Sequence, residues 1–337
     1  MRAQIAFNRS VSAPYRHLGI AAPGFPESFA PGQFVMVRPP LVTDPLLPRA
    51  FSIYRISQDG GGAPVVEILY KILGKGTQCL SRMEPGREVE ILGPLGNSFT
   101  VAPDLKTAVL AAGGIGVPPI AALARRLRNA ECGMRSLEVF LGGKTAEDIL
   151  CLADFEAVGA KIRITTEDGS VGTRGMITDL LGPFLEGNGS QTIERFGIQG
   201  EPSHLVTQSP SRHSLTVFTC GPPGMLSAVA RLAEGRGVPC QASVEANMAC
   251  GFGACMGCAI EARPRGAEPA YKLVCKDGPV FDSRELVWRC KSRETRDESH
   301  EPRAASRELR TESREPGAES RGRRVASRER RAAWRWR

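Results

Sequence analysis

Four of the ten cysteines stand close together, in the order Cys250-x4-Cys255-x2-Cys258-x16-Cys275. Four thiolates can hold either a tetrahedral zinc ion or a 2Fe–2S cluster. Structural zinc sites usually take their ligands as two C-x2-C pairs, and here only Cys255 and Cys258 make one. The C-x4-C-x2-C…C order is instead the spacing of plant-type 2Fe–2S centres. Gly251, Gly253, Ala254 and Gly257 fill the gaps. Such small residues let a loop wrap closely and aim backbone N–H groups at sulfur, which tunes a cluster's potential. The expectation is a 2Fe–2S centre, with zinc and buried free thiols as the alternatives. The other six cysteines (Cys79, Cys132, Cys151, Cys220, Cys240, Cys290) are scattered.

Two further sets of residues could bind phosphate-bearing cofactors. Arg49-Ala50-Phe51-Ser52 enters a strand, and Leu69-Tyr70-Lys71 is followed by Gly74-Lys75-Gly76-Thr77 at the start of a helix. An arginine beside a Gly/Thr helix N-terminus supplies cationic and backbone donors for a pyrophosphate. A serine and an aromatic ring nearby suit a flavin ring. Gly113-Gly114-Ile115-Gly116 links a strand to a helix that opens on Pro118 and Pro119. That is where a dinucleotide phosphate meets a helix N-terminus, although the run departs from G-x-G-x-x-G. A Gly-rich turn without ligand is the bland reading. Cys220-Gly221-Pro222-Pro223-Gly224-Met225 again ends a strand and opens a helix. Cys220 is either near the nicotinamide and flavin or a small core residue. Lys144, after Gly142-Gly143, is placed to read a 2′-phosphate or to be a solvated loop residue.

The elements that must position these residues fall into three blocks and a tail. Residues 1–102 read as short strands, among them 33–37 (QFVMV), 65–70 (VVEILY) and 89–92 (VEIL), separated by Pro/Gly turns. That spacing favours a small antiparallel β-barrel. Residues 103–242 alternate strands at 106–111, 136–141, 161–165 and 214–219 with helical stretches such as 120–128. The alternation indicates a Rossmann-like parallel α/β domain. Within it, 187–213 is polar and Gly/Ser-rich and reads as a long surface loop. Residues 243–288 form a small cysteine module, too short to bury much core by itself. Residues 289–337 are a low-complexity Arg/Glu/Ser/Ala tail with an approximate S-R-E recurrence, expected to be disordered and dispensable.

Charge partitions the same way. The chain carries a net +8, of which the tail contributes +7, so the body is almost neutral. The basic balance therefore argues for neither nucleic acid nor a membrane surface; basic groups in the tail are interleaved with Glu, and its only aromatics are Trp334 and Trp336. No run of about 18 apolar residues exists to span a membrane. No signal-like apolar stretch opens the chain, so a cytosolic location and reduced cysteines are expected. His17, His204, His213 and His300 are dispersed and read as surface or loop residues. Glu167-Asp168 precedes a glycine and reads as a turn rather than an acid pair.

Barrel, α/β domain and four-cysteine segment, in that order, resemble the ferredoxin–NADP reductase superfamily with an appended 2Fe–2S module. The likeness is closest to the electron-transfer subunits of dihydroorotate dehydrogenase B. APGQFVMVRP (30–39), RAFSI (49–53), ILGKGT (72–77), AAGGIGVPPI (111–120) and TEDGSVGTRG (166–175) carry it. CGPPGML (220–226), EANMACGFGACMGCAI (245–260) and YKLVCKDGPVFD (271–282) complete it. The resemblance implies FAD contacts at Arg49, Ala50, Phe51, Ser52, Leu69, Tyr70, Lys71, Gly76 and Thr77. It implies NAD(H) docking at Gly113, Gly114 and Gly116 and at Cys220, Gly221 and Pro222. It implies cluster ligation by Cys250, Cys255, Cys258 and Cys275.

It also implies a partner, the FMN-containing dihydroorotate dehydrogenase catalytic subunit, in a heterotetramer of two plus two serving pyrimidine synthesis. A related NAD(P)H:ferredoxin or hydrogenase-type reductase subunit is the alternative. Three departures stand out: Ala50 where the family usually has Pro, the long 187–213 segment, and the tail after Trp288.

Overall fold

The computed structural model describes residues 1–39, 44, 46–129, 134–190, 215–264 and 270–288. Its N-terminal strands are β1 (Arg2–Ser12), β2 (Tyr15–Ala21), β3 (Phe34–Arg38), β4 (Arg49–Ser52), β5 (Arg55–Gln58), β6 (Pro64–Lys71) and β7 (Glu88–Leu95). All pair antiparallel, in the spatial order β4-β3-β7-β1-β2-β6-β5. The edge strands β4 and β5 are joined by Ile53 and Tyr54 alone. Two residues span too little to separate the edges of a flat sheet, so this one curls into the expected barrel. Side-chain alternation along β6 divides its residues between two cores. Val66, Ile68 and Tyr70 fill the barrel, while Leu69 points the other way into the α/β domain. Helix α1 (Lys75–Ser81) follows β6 and drops Leu80 into the barrel core.

The second sheet takes β8 (Thr107–Gly113), β9 (Ser136–Gly143), β10 (Lys161–Thr166), β11 (Thr173–Arg174), β12 (Leu215–Cys220) and β13 (Cys240–Ser243). Their order is β11-β10-β9-β8-β12-β13, all parallel. Helices α2 (Val117–Asn129) and α3 (Leu152–Ala157) pack on one face, and α4 (Ile177–Ser190) and α5 (Pro223–Gly235) on the other. Burial on both faces explains why β8 reads as a continuous apolar run, with Leu110 and Ala112 to one side and Val109 and Ala111 to the other.

The cysteine module adds the hairpin β14 (Ala259–Ala262) and β15 (Ala270–Leu273), the short helix α6 (Val274–Asp277) and β16 (Val280–Asp282). Strand β16 pairs antiparallel with β13, so the sheet is mixed rather than purely parallel as the alternation suggested. The module also shares its apolar cluster with the barrel: Cys258, Val274, Cys275, Phe281 and Leu286 pack with Phe34 and Met36 of β3. Met1–Cys290 accordingly form one compact unit.

Other expectations shift at their ends. Helix α2 starts at Val117 rather than Ile120, because Pro118 and Pro119 fit the first turn, where an absent N–H costs nothing. Residues 187–190, expected in a loop, close α4, and 191–214 lie outside the described residues, as does the tail from 289. His17 is not a loop residue. It lies on β2, its ring edge-on between Phe7 and Tyr54, with Nε2 2.7 Å from the buried carboxylate of Glu67. The other three histidines lie outside the described residues. The Asp168 turn is as expected: its carboxylate accepts from the Ser170 N–H and hydroxyl.

Candidate functional site

Strand β4 lays Arg49 opposite Val37 and Ser52 opposite Phe34. Arg49 Nη1 donates to the Leu47 carbonyl at 2.5 Å, turning the guanidinium over the first turn of α1. It lies so close that a Cβ on Gly76 would stand 2.6 Å from Arg49 Nε. The glycine thus makes room for the arginine, and the two form a cradle of guanidinium and backbone N–H groups suited to a pyrophosphate. Thr77 caps the helix: its Oγ1 accepts from the N–H groups of Leu73 and Gly74 at 3.0 and 3.2 Å.

The other flavin candidates divide. Phe51 packs 5.6 Å from the Tyr70 ring, and Tyr70 is buried inside the barrel. Leu69 packs into the α/β core. Lys71 holds its Nζ 4.9 Å above the Tyr15 ring and 3.3 Å from Asp148 Oδ1. Ala50 is half-buried against the cysteine module's cluster. The structure therefore gathers Arg49, Gly76 and Thr77, places Ala50 opposite Met36 against the apolar cluster that the cysteine module shares, and turns the Tyr70 ring away from this surface.

The two candidate nucleotide turns meet. Strands β8 and β12 are neighbours from which the sheet winds outward in both directions, which is the topological switch point of an open α/β sheet. Ala112 pairs with Cys220, so Gly113–Gly116 and Cys220–Pro222 leave the sheet side by side. A Cβ on Gly116 would lie 2.5 Å from the Gly221 nitrogen, and one on Gly113 2.6 Å from Met225 Sδ. Gly114 has φ +52°, the left-handed region that favours glycine. Cys220 is buried, and desolvation, with Glu245 adding to it, pushes its thiol far up. At this site it is a neutral thiol, not a thiolate nucleophile.

The four cysteines stand as two pairs. Cys258 and Cys275 are buried with their sulfurs 3.2 Å apart. Cys250 is half-buried and Cys255 exposed, and the Cys255 N–H points at Cys250 Sγ from 3.5 Å. Further N–H groups face sulfur from Gly257 to Cys255 at 3.5 Å and from Cys275 to Cys258 at 3.4 Å. The N–H groups of Cys255 and Phe252 bring the Cys250 thiol down to about 6. Burial and the adjacent Cys258 push Cys275 up to about 12. Among the described residues, no three His, Cys, Asp or Glu gather closely enough to hold one ion. Two pairs suit a two-iron cluster, with two thiolates per iron, better than a mononuclear zinc site. Gly251 (φ +85°) seats this loop on the barrel: a Cβ there would be 2.6 Å from Met36 Cγ.

Two carboxylates escaped the reading of the sequence. Glu245, just past β13, is exposed, but partial desolvation raises its carboxyl and it is close enough to Cys220 to raise that thiol. Its position between a strand end and Cys250 was the available signal. Asp148 is buried where the barrel meets the α/β domain, and nothing in its surrounding sequence marked it.

An antiparallel barrel, a Rossmann-like sheet whose glycine turns meet at the switch point, and a loop of paired thiols define a flavin- and nicotinamide-dependent reductase fold with an iron–sulfur module. Residues 245–287 match the family model for the iron-sulfur cluster binding domain of dihydroorotate dehydrogenase B. The chain is 35% identical over 268 residues to the electron transfer subunit of dihydroorotate dehydrogenase B (NAD(+)) from Desulforamulus reducens, covering 79% of this chain and 90% of that one. It is 37% identical over 259 residues to the subunit of the same name from Geobacillus thermodenitrificans, covering 76% and 86%. Among solved structures, an NADH-dependent reduced ferredoxin-NADP oxidoreductase superposes with a TM-score of 0.65 at 22% identity, over 85% of this chain and 90% of that one. That likeness establishes the fold. The chain belongs to the family of dihydroorotate dehydrogenase B electron transfer subunits.

Proposed function

We propose that this chain is the electron-transfer subunit of a dihydroorotate dehydrogenase B, passing electrons between NAD(H) and an FMN-containing catalytic subunit in pyrimidine (UMP) synthesis. Its own cofactors are FAD and a 2Fe–2S cluster. The observation that carries the reading is one apolar cluster that joins Cys258 and Cys275 to Phe34 and Met36 of β3, with Ala50 of the flavin strand β4 packed against it. When bound, the cofactors supply hydride exchange with nicotinamide, conversion between paired and single electrons, and onward relay.

The chain's residues bind and orient. Arg49 and the α1 N-terminus at Gly76 take the FAD pyrophosphate. Gly113, Gly114 and Gly116 let a dinucleotide approach the backbone at the switch point, and Gly221 and Pro222 form its other wall. Cys250, Cys255, Cys258 and Cys275 hold the irons, with backbone N–H groups directed at their sulfurs. The buried, protonated Cys220 lines the nicotinamide side, with Glu245 near it.

Cys255 opens to solvent between Phe252 and Met256, each 59% exposed. Apolar side chains around an exposed ligand suit a protein face, and this is where the catalytic subunit docks in an assembly of two plus two. Among the described residues no helix is long and apolar enough to cross a membrane.

Anaerobic purification with a visible spectrum and iron analysis tests the reading: flavin bands together with 2Fe–2S absorption are expected. Absence of both refutes it. Copurification with an FMN-containing dihydroorotate dehydrogenase separates this function from that of a ferredoxin- or hydrogenase-linked reductase.

A further inference from the structure

The carboxylate of Asp148 is buried at the junction of the two cofactor domains and is shared between them. From the barrel it accepts the Tyr15 hydroxyl, in a short hydrogen bond, and Lys71 Nζ at 3.3 Å. From its own domain it accepts the N–H groups of Lys144 at 2.9 Å and Thr145 at 3.4 Å. Tyr15 and Lys71 are paired across β2 and β6, so one carboxylate gathers both strand ends. Burial acts to raise this carboxyl, but Tyr15, the Lys144 N–H and Lys71 together hold it below the ordinary range, so it stays charged.

Tyr15 also touches the nucleotide side. Its hydroxyl lies 3.6 Å from where a Cβ on Gly114 would be, against the left-handed residue that opens the Gly113–Gly116 turn. Tyr15 is 1% exposed and lies in one apolar cluster with Ala112 and Val117, which flank that turn. We infer that Asp148, acting through Tyr15, is a positioning residue that fixes the Gly113–Gly116 turn relative to the barrel. It thereby sets where a dinucleotide bound at that turn meets a flavin bound on β4 and β6. The inference rests on the FAD and NAD(H) sites proposed above.

A second clamp of the same kind provides the comparison. Asp154 accepts the Tyr54 hydroxyl at 2.5 Å, Arg55 at 3.1 Å and Arg125 at 2.7 Å. It too joins barrel to α/β domain, but Arg125 lies well along α2, about 12 Å from the helix start at the turn. Loss of either clamp weakens the domain junction. Loss of Asp148 alone disturbs the turn.

The test uses the FAD- and cluster-loaded full chain with Asp148→Asn, Tyr15→Phe and Asp154→Asn. NAD⁺ affinity is measured by calorimetry, and flavin reduction by saturating NADH by anaerobic stopped flow. Iron, FAD content and melting temperature are followed alongside. Asp148→Asn and Tyr15→Phe are each expected to weaken NAD⁺ binding about fivefold and slow flavin reduction about tenfold at unchanged FAD content. Asp154→Asn is expected to stay within about twofold on both readouts. If Asp148→Asn fails to fold, Tyr15→Phe decides alone. Equal effects from the two clamps, or none from Tyr15→Phe, overturn the inference. A wild-type flavin that NADH leaves oxidised overturns the proposed function as well.

Discussion

Replacing Gly76 by Ala separates folding from cofactor binding. The backbone at Gly76 is not left-handed, so alanine is conformationally acceptable, and within a helix it is favoured over glycine by roughly 0.5–1 kcal/mol. The new methyl would stand 2.6, 2.8 and 2.9 Å from Nε, Cζ and Nη2 of Arg49. Those atoms are the far end of a flexible side chain, so the guanidinium swings away and the fold keeps its stability. If it is the guanidinium that meets the FAD pyrophosphate, a charge-assisted hydrogen bond worth about 1.5–3 kcal/mol is lost. At 1.4 kcal/mol per tenfold, FAD binding weakens by roughly 10- to 100-fold. Quenching of FAD fluorescence on titration into apoprotein gives the affinity, and thermal unfolding of the same apoprotein gives the stability. The expected pattern is an unchanged or raised Tm with a weakened Kd. Arg49→Ala should match that loss in Kd, and the double variant should add little to it, since both remove one contact. A Gly76→Ala protein that binds FAD within about twofold of wild type would refute the assignment of this cradle to pyrophosphate.

Cys255→Ser should lose iron and keep most of its FAD, because the Arg49 and Gly76 cradle uses none of the four thiols; parallel loss of both, by iron analysis and absorbance, would count against separate sites. Glu67 is held below the ordinary carboxyl range, since hydrogen bonds from His17 and Ser57 and the charges of His17 and Arg55 outweigh the upward push of burial. Its share of stability is complete at neutral pH and is lost as pH falls through that lowered value. The gap in Tm between wild type and Glu67→Gln should therefore narrow as pH falls below the ordinary glutamate value of 4.5, and a widening gap would show the sign to be wrong. A chain ending at Trp288, whose indole N–H donates to the Ser283 carbonyl at 2.8 Å, should retain full flavin and iron content; loss of folding would assign the tail a structural role.

The cysteine spacing was legible because metal ligation is written in local sequence: four thiols, two gaps, and glycines to bend the loop. The strands were legible for a similar reason, since β8 and β6 carry apolar runs that fit no exposed segment. What sequence does not carry is which strand faces which core. Leu69 and Tyr70 look equivalent in VVEILYK, yet one packs into the α/β domain and the other into the barrel. That split follows from the barrel's curl against its neighbour, a long-range fact. Asp148 and Asp154 were illegible for the same reason. Each is an ordinary acidic residue in its own helix and becomes a clamp only when a tyrosine from the barrel arrives from 133 or 100 residues away. His17 misled as an isolated polar residue because its partner Glu67 sits 50 residues on, across the β2–β6 pairing.

The cysteine module's dependence on its neighbours bears on electron transfer. A segment as short as 245–287 buries too little apolar surface to offset its ordering entropy alone. It takes Phe34 and Met36 from the barrel for its core and lends β16 to the α/β sheet for its backbone pairing. The first borrowing seats the thiol loop on β3, the neighbour of the flavin strand β4. Stability and proximity therefore have one cause: the packing that lets the module fold also holds the thiol loop on β3, next to the strand proposed to carry the flavin. It follows that a metal-free chain keeps most of the module's apolar cluster, since Val274, Phe281 and Leu286 owe their burial to the barrel and sheet rather than to iron. The module then differs from a zinc finger, whose fold is created by its metal. Iron chelation should abolish the 2Fe–2S absorption while leaving the exchange protection of the β13–β16 amides largely intact.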